Sequence, residues 1–137
     1  MQTGIEYWMT NIVLDTNVII SAVLSPAGNP AAVVSLISTT DKLQVFYSGA
    51  ILDEYKRVLA YERLNIPKEK QNAVIGTLRR FGIPIEPTVS TTPMTDETDR
   101  VFYDTAKTSG AILITGNIRH YPAMSFIMTP TDFLGTL

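Results

Sequence analysis

Four short apolar runs, Ile12–Leu14, Leu43–Tyr47, Ala111–Thr115 and Phe126–Met128, are set apart by stretches whose apolar residues recur at helical spacing. That alternation admits few folds, because neighbouring parallel strands need crossover connections long enough to hold a helix. Between the first two runs, "NVIISAVL" and "NPAAVVSLIS" read as helices broken by "SPAGNP", where Pro and Gly punctuate the chain. Ser48 follows "LQVFY" as an N-cap for a helix running to about Ala60. A further helix covers Pro67–Phe81, with Pro in its first turn and Val74, Leu78 and Phe81 along one side. "GIPIEPTVSTTPMT", with three prolines, reads as a loop or irregular edge. A helix then spans Glu97–Ser109, and Gly110 ends it. The expected fold class is α/β with a mainly parallel central sheet.

At 137 residues the chain has room for one sizeable core, so a single domain over residues 1–137 is expected, with residues 1–10 as an N-terminal extension. Met9, directly before the first strand, is an alternative start. A content of 45% hydrophobic and 18% charged residues belongs to ordinary globular chains rather than disordered ones. The absence of cysteine excludes disulfide frameworks, zinc-thiolate sites and cysteine nucleophiles. Apolar runs fall far short of a membrane span, and "MQTGIEYW" lacks the basic start and apolar core of a signal peptide. A cytoplasmic protein without membrane association is expected.

The net charge is −2, but it is unevenly spread. From Lys56 to Arg80 seven basic residues face two acids, so this stretch carries +5 and the remainder −7. Such asymmetry suits a basic arm beside an acidic, cation-holding site and hence a polyanionic substrate. The plainer reading of the same run is a solvated helical face.

Ligands of open parallel sheets bind at the carboxyl ends of strands, which gives polar residues there special weight. Asp15 ends the first strand, and Asn117 follows "AILIT"; if these strands are neighbours, the two residues face one crevice. As a helix advances about 100° per residue, the buried stripe of "AILDEYKRVLA" is Ile51, Tyr55, Val58 and Leu59. Glu54 lies on the edge of that stripe, and Asp53 points away. In "TDETDRVFYDTAKTSG" the inward set is Phe102, Tyr103 and Ala106, and Asp99 shares their face, whereas Glu97 and Asp104 are expected to be exposed. Asp96, one turn earlier, is either a further ligand or an N-cap. Three inward carboxylates, Asp15, Glu54 and Asp99, are costly without a compensating charge, and an all-oxygen set favours Mg²⁺ or Mn²⁺ over zinc.

Taken in order, "VLDTNVIISA", "ILDEYKRVL", "DETDRVFYDTAKTSGAILITGN", "RHYP" and "TPTDFL" resemble PIN-domain proteins, especially the branch of VapC-like toxins from toxin–antitoxin pairs. The resemblance runs from about Asn11 to Leu134. It implies a three-layer α/β/α sandwich and Mg²⁺- or Mn²⁺-dependent cleavage of RNA. It also implies an antitoxin partner and a homodimer. Its acids fall on Asp15, Glu54 and Asp99, already selected from spacing. One departure is Asn117, where many members carry aspartate; an amide lowers the negative charge of the site and weakens the case for a second ion. On this reading Asp15, Glu54 and Asp99 hold the metal, with Asp96 and Asn117 as outer helpers. Thr16 and Thr115 orient waters or a phosphate oxygen, Arg119 and His120 contact phosphate, and the basic stretch that begins with Lys56 and Arg57 binds the RNA backbone. The alternative is a PIN-like module that binds RNA or protein without cutting. A phosphotransfer domain fits less well, because the acids and lysine it needs after its other strands are missing.

Overall fold

The computed structural model describes residues 9–137. Five strands, β1 (Thr10–Leu14), β2 (Leu43–Tyr47), β3 (Ile83–Pro84), β4 (Ile112–Ile114) and β5 (Ile127–Met128), form one sheet in the order β3-β2-β1-β4-β5. Every pairing is parallel. Helices α1 (Thr16–Leu24), α2 (Asn29–Thr39), α3 (Gly49–Leu59), α4 (Lys68–Phe81), α5 (Arg100–Ser109) and α6 (Pro130–Leu134) connect or flank the strands. The α/β class with a parallel central sheet is therefore the one read from the alternation of patterns. No single described helix is long and apolar enough to cross a membrane.

Local chemistry explains most of the element boundaries. Ser48 caps α3 by accepting from the Ile51 amide at 3.1 Å, and Gly110 ends α5 in the left-handed region at φ 65°. The α3 stripe is Ile51, Leu52, Tyr55 and Leu59, with Val58 half-buried, Asp53 exposed and Glu54 on the edge, as its spacing requires. The chain crosses from β1 to β2 to β3 on one side of the sheet and then places β4 on the other side of β1. β1 and β4 are thus neighbours across the point where the strand order reverses, with Leu14 beside Ile114.

Four features differ from the sequence expectation. The stretch expected to be a loop or irregular edge contains β3, two residues paired with Phe46 and Tyr47. Pro84 has no amide to donate, which confines such a strand to an edge. A short helix, α6, opens at Thr129, whose side chain accepts from the Asp132 amide, with Pro130 in its first turn. Thr10, assigned to the N-terminal extension, is the first residue of β1 and pairs with Leu43, while residues 1–8 of that extension lie outside the described residues.

The fourth is Asp104, expected to be exposed and in fact 2% exposed. Residues 88–92 lie across that side of α5. The Ser90 amide donates to Asp104 Oδ2 at 3.0 Å, and the Thr88 amide to the Thr108 hydroxyl at 2.9 Å. Arg100 donates to the carbonyls of Ser90 and Thr92 and also pairs with the exposed Glu97. Helical spacing assigns Asp104 to the outer face; a distant strap covers it.

Gly82, at the end of α4, is where the turn into β3 presses against the sheet. A Cβ there would run into the Leu78 carbonyl oxygen and lie 2.8 Å from the ring of buried Tyr47. Gly82→Ala is expected to lower the unfolding free energy by about 1–3 kcal/mol, the usual cost of overpacking. Urea denaturation reads this directly, and an unchanged midpoint would mean that the turn shifts without cost.

Candidate active site

Asp15 stands where β1 gives way to α1, and its amide makes a sheet bond to the Ile114 carbonyl at 2.9 Å. It occupies the N-cap position of α1, yet its side chain caps nothing. Its Oδ2 instead accepts from the Thr115 hydroxyl at 2.8 Å, the Tyr121 hydroxyl at 2.9 Å and, more weakly, the Asn17 amide at 3.4 Å. All three donors converge on one oxygen, so Oδ1 has no described donor. The carboxylate is held in one rotamer by groups from the segment that follows β4 and from the first turn of α1.

Glu54 reaches the same region from α3. Its Oε2 accepts from the hydroxyl of Thr16, and its Oε1 lies 3.8 Å from Arg57. The Tyr55 hydroxyl donates to the Leu14 carbonyl, fastening α3 to the end of β1. Asp99 comes from the turn that leads into α5, with 17% of its side chain exposed and Oδ2 buried without a hydrogen-bond partner among the described residues. His120 Nδ1 is 3.8 Å from that oxygen, and the other ring nitrogen shares a 3.0 Å hydrogen bond with the Asn117 amide.

The acids feel one another. Burial raises the Asp99 carboxyl to about 6, and the charges of Asp15, Asp96 and Glu54 push it the same way against His120. The Tyr121 phenol is raised far above its ordinary value by burial first and then by Asp15 and Asp99. Tyr55 is raised by burial, then by Asp15 and Glu54. Both phenols therefore remain protonated donors. The convergence stops short of a closed cage: among the described residues no three His, Asp or Glu side chains form a ready ligand group.

The donor set nevertheless fits a hard divalent cation. It consists of carboxylate oxygens, one of them buried and without a hydrogen-bond partner among the described residues, with the His120 ring 3.8 Å away. Mg²⁺ keeps several waters and needs only one or two carboxylates, so a set that does not close completely is compatible with it.

Residues 11–119 match the family model described as PIN domain. This chain belongs to the PIN domain family. It is also 32% identical, over 109 residues, to an uncharacterized protein of Methanocaldococcus jannaschii. That alignment covers 77% of this chain and 70% of the archaeal protein. PIN domains are typically metal-dependent nucleases, and the family suggests a nuclease-type function here.

Within this PIN domain the residues singled out from sequence separate into groups. The charges of Asp15 and Glu54 act on Asp99, so the three acids lie near one another. Thr16 and Thr115, expected to orient water or phosphate, are buried and give their hydroxyls to Glu54 and Asp15. Asp96 is the cap of its turn, accepting from the Thr98 amide at 3.0 Å and hydroxyl at 2.8 Å, and these bonds lower its pKa. Asn117 is exposed and turned towards His120. Arg119 lines an outer pocket with Ile118, Pro122 and Met124. Arg57 sits beside Glu54, whereas Lys56 lies on the other edge of α3 against α4.

Two site residues escape the sequence reading. Tyr121, in "RHYP", is buried and donates to Asp15 across 106 positions of chain. Asn17 accepts from the Gly116 amide at 2.9 Å and so ties the first turn of α1 to the loop after β4. A Cβ on Gly116 would come within 3.3 Å of that Asn17 oxygen. Nothing local marks either residue beyond its place in a motif.

The raised Asp99 carboxyl has a thermodynamic consequence. With a chelator present, the folded protein holds this proton up to about 6, while the unfolded chain releases it near 3.8. Between these values the native state binds more protons, so the stability contributed by Asp99 falls as pH rises and levels off above the folded value. Asp99→Asn, which cannot ionise, lacks that fall. Its stability relative to the parent, from urea denaturation at a series of pH values, is expected to climb across this window; parallel profiles would contradict the assignment.

Proposed function

We propose that this PIN domain is a metal-dependent endoribonuclease and the toxin component of a type II toxin–antitoxin pair, cleaving RNA phosphodiesters with Mg²⁺ or Mn²⁺. The observation that carries the catalytic reading is the buried, unpartnered Oδ2 of Asp99 beside Asp15 and Glu54 at the switch point of the sheet. Asp15, Glu54 and Asp99 would hold the ion, directly or through water. When bound, such an ion supplies Lewis-acid charge at a phosphate oxygen and lowers the pKa of a coordinated water.

The chain's own groups prepare this site. Thr115 and Tyr121 fix Asp15 by one oxygen, and Thr16 fixes Glu54, so the acids lose little rotamer freedom on engaging a ligand. Arg57 beside Glu54 and His120 beside Asp99 place donor groups where a phosphodiester would approach the acids, and Arg119 lines the outer pocket next to Tyr121. Asn117 holds His120, and through it the side of the crevice occupied by Asp99. The antitoxin partner and a homodimer rest on the resemblance to VapC-like toxins, and a cytoplasmic location rests on the cysteine-free composition.

A second reading, a PIN module that binds RNA or protein without cutting, is favoured by one observation: Asn117 is an amide turned to His120 and the acids form no closed ligand group. Manganese titration separates the two. On the catalytic reading the protein binds Mn²⁺, more weakly at about pH 5 than at about pH 7.5, because the Asp99 proton must leave before the ion can enter. Absence of calorimetric binding at both values supports the non-cutting module.

Asp15→Ala and Asp99→Ala are each expected to reduce Mn²⁺-dependent cleavage of single-stranded RNA by about 100-fold or more, the scale on which lost transition-state charge stabilisation is felt. Variants that retain thermal unfolding but cleave at the parental rate would end the catalytic reading.

A further inference from the structure

The basic run from Lys56 to Arg80 is divided by the fold. Arg63 lies over the Tyr61 ring and Arg80 over the Phe81 ring, each at 5.3 Å, and Arg57 turns to Glu54. Of the other four, all but Lys70 gather in one place. Lys56 of α3 faces Lys68, Asn72 and Arg79 of α4 across a cleft of about 190 Å³ whose apolar floor includes Ile75. Lys68, Asn72, Ile75 and Arg79 recur at spacings of four, three and four, and so form one stripe along α4.

Among the described residues no carboxylate lines this cleft. Among the described residues, neither lysine nor Arg79 takes part in a salt bridge. Three like charges held around a small cleft repel one another, so the arrangement favours an anion between them. The donors suit phosphate oxygens: two ammonium groups, a guanidinium and an amide.

Its position relative to the acids decides which anion. Glu54 and Lys56 are two residues apart on α3, about 200° around the axis, and therefore on opposite edges of the buried stripe. A ligand touching both must cross the outer face of α3, past Arg57, over roughly the 10–12 Å breadth of a helix. A polymer with phosphates at intervals can do this, and a mononucleotide cannot.

We infer that the cleft between α3 and α4 is a phosphate-binding site for single-stranded RNA, gripping the backbone several nucleotides from the bond presented to the acidic crevice. It rests on the ribonuclease reading for its ligand, and its test does not depend on cleavage. The α3 helix is the saddle over which the strand passes.

The test is fluorescence anisotropy of full-length protein with a labelled octanucleotide and a labelled dinucleotide, in chelator, over a range of KCl concentrations. The Lys56→Ala/Arg79→Ala double variant is expected to lower the slope of log affinity against log salt by about 1.4, near 0.7 for each single-strand phosphate that is no longer neutralised. The dinucleotide, too short to pass from the cleft over α3, should bind the parent more weakly than the octanucleotide. Lys70→Ala, which removes one positive charge from the same run outside the cleft, should leave the octanucleotide slope unaltered. An unaltered slope in the double variant, an equal effect of Lys70→Ala, or failure of the parent to bind the octanucleotide overturns the inference. So does displacement of the octanucleotide by poly-glutamate as readily as by unlabelled RNA, which would make the cleft a site for an acidic protein. If binding behaves as expected while Asp15→Ala cleaves normally, the cleft stands and the catalytic reading alone falls.

Discussion

Ile12, Val13 and Leu14 have no exposed surface, and burial of β1 on both faces is the constraint from which the rest of the molecule follows. A strand covered on both sides needs neighbours in the sheet and helices above and below, and it offers polar chemistry only where it emerges. Asp15 is that point of emergence. Its amide completes the ladder to β4, its carboxylate is held by Thr115 and Tyr121, and the preceding carbonyl receives the Tyr55 hydroxyl from α3. Three parts of the chain are thereby registered on the end of one strand, and Thr16 carries the registration on to Glu54. The acids are set by the packing of the core rather than by a mobile loop.

Much of this is legible in the amino-acid order because it depends on local periodicity. Apolar runs mark the strands, and a 100° advance per residue separates Glu54 from Asp53 and brings Asp99 onto the inward face of its helix. The neighbourhood of Asp15 and Asn117 follows once the strand order is known. Asp104 shows where periodicity fails: its exposure depended on whether anything covered α5, and residues 88–92 do so through bonds made by Asp104, Arg100 and Thr108. β3 was unreadable for the opposite reason, since two residues carry no period and become a strand only because β2 has a free edge beside them.

Charge follows the same division. The basic run is visible as composition, but its residues have different fates that composition does not distinguish. Arg63 and Arg80 settle over neighbouring aromatic rings, while Lys56 meets Lys68 and Arg79 only because α3 and α4 pack side by side. The acids show the converse. The raised Asp99 carboxyl, a product of burial first and of the neighbouring acids second, exists only when α3, the end of β1 and the turn before α5 are brought together.

By itself the sequence determined an α/β chain with a parallel sheet, an aspartate at the exit of its first strand and two further acids on inward-facing helical edges. These are properties of residues a few positions apart, and backbone geometry relates such residues in the same way in any fold. Whether Asp15 caps its helix or turns into a crevice is a contest between partners. The helix amides are adjacent in sequence; Thr115 and Tyr121 are 100 and 106 positions away. The distant hydroxyls win because β4 lies beside β1, and only the tertiary structure brings them within reach.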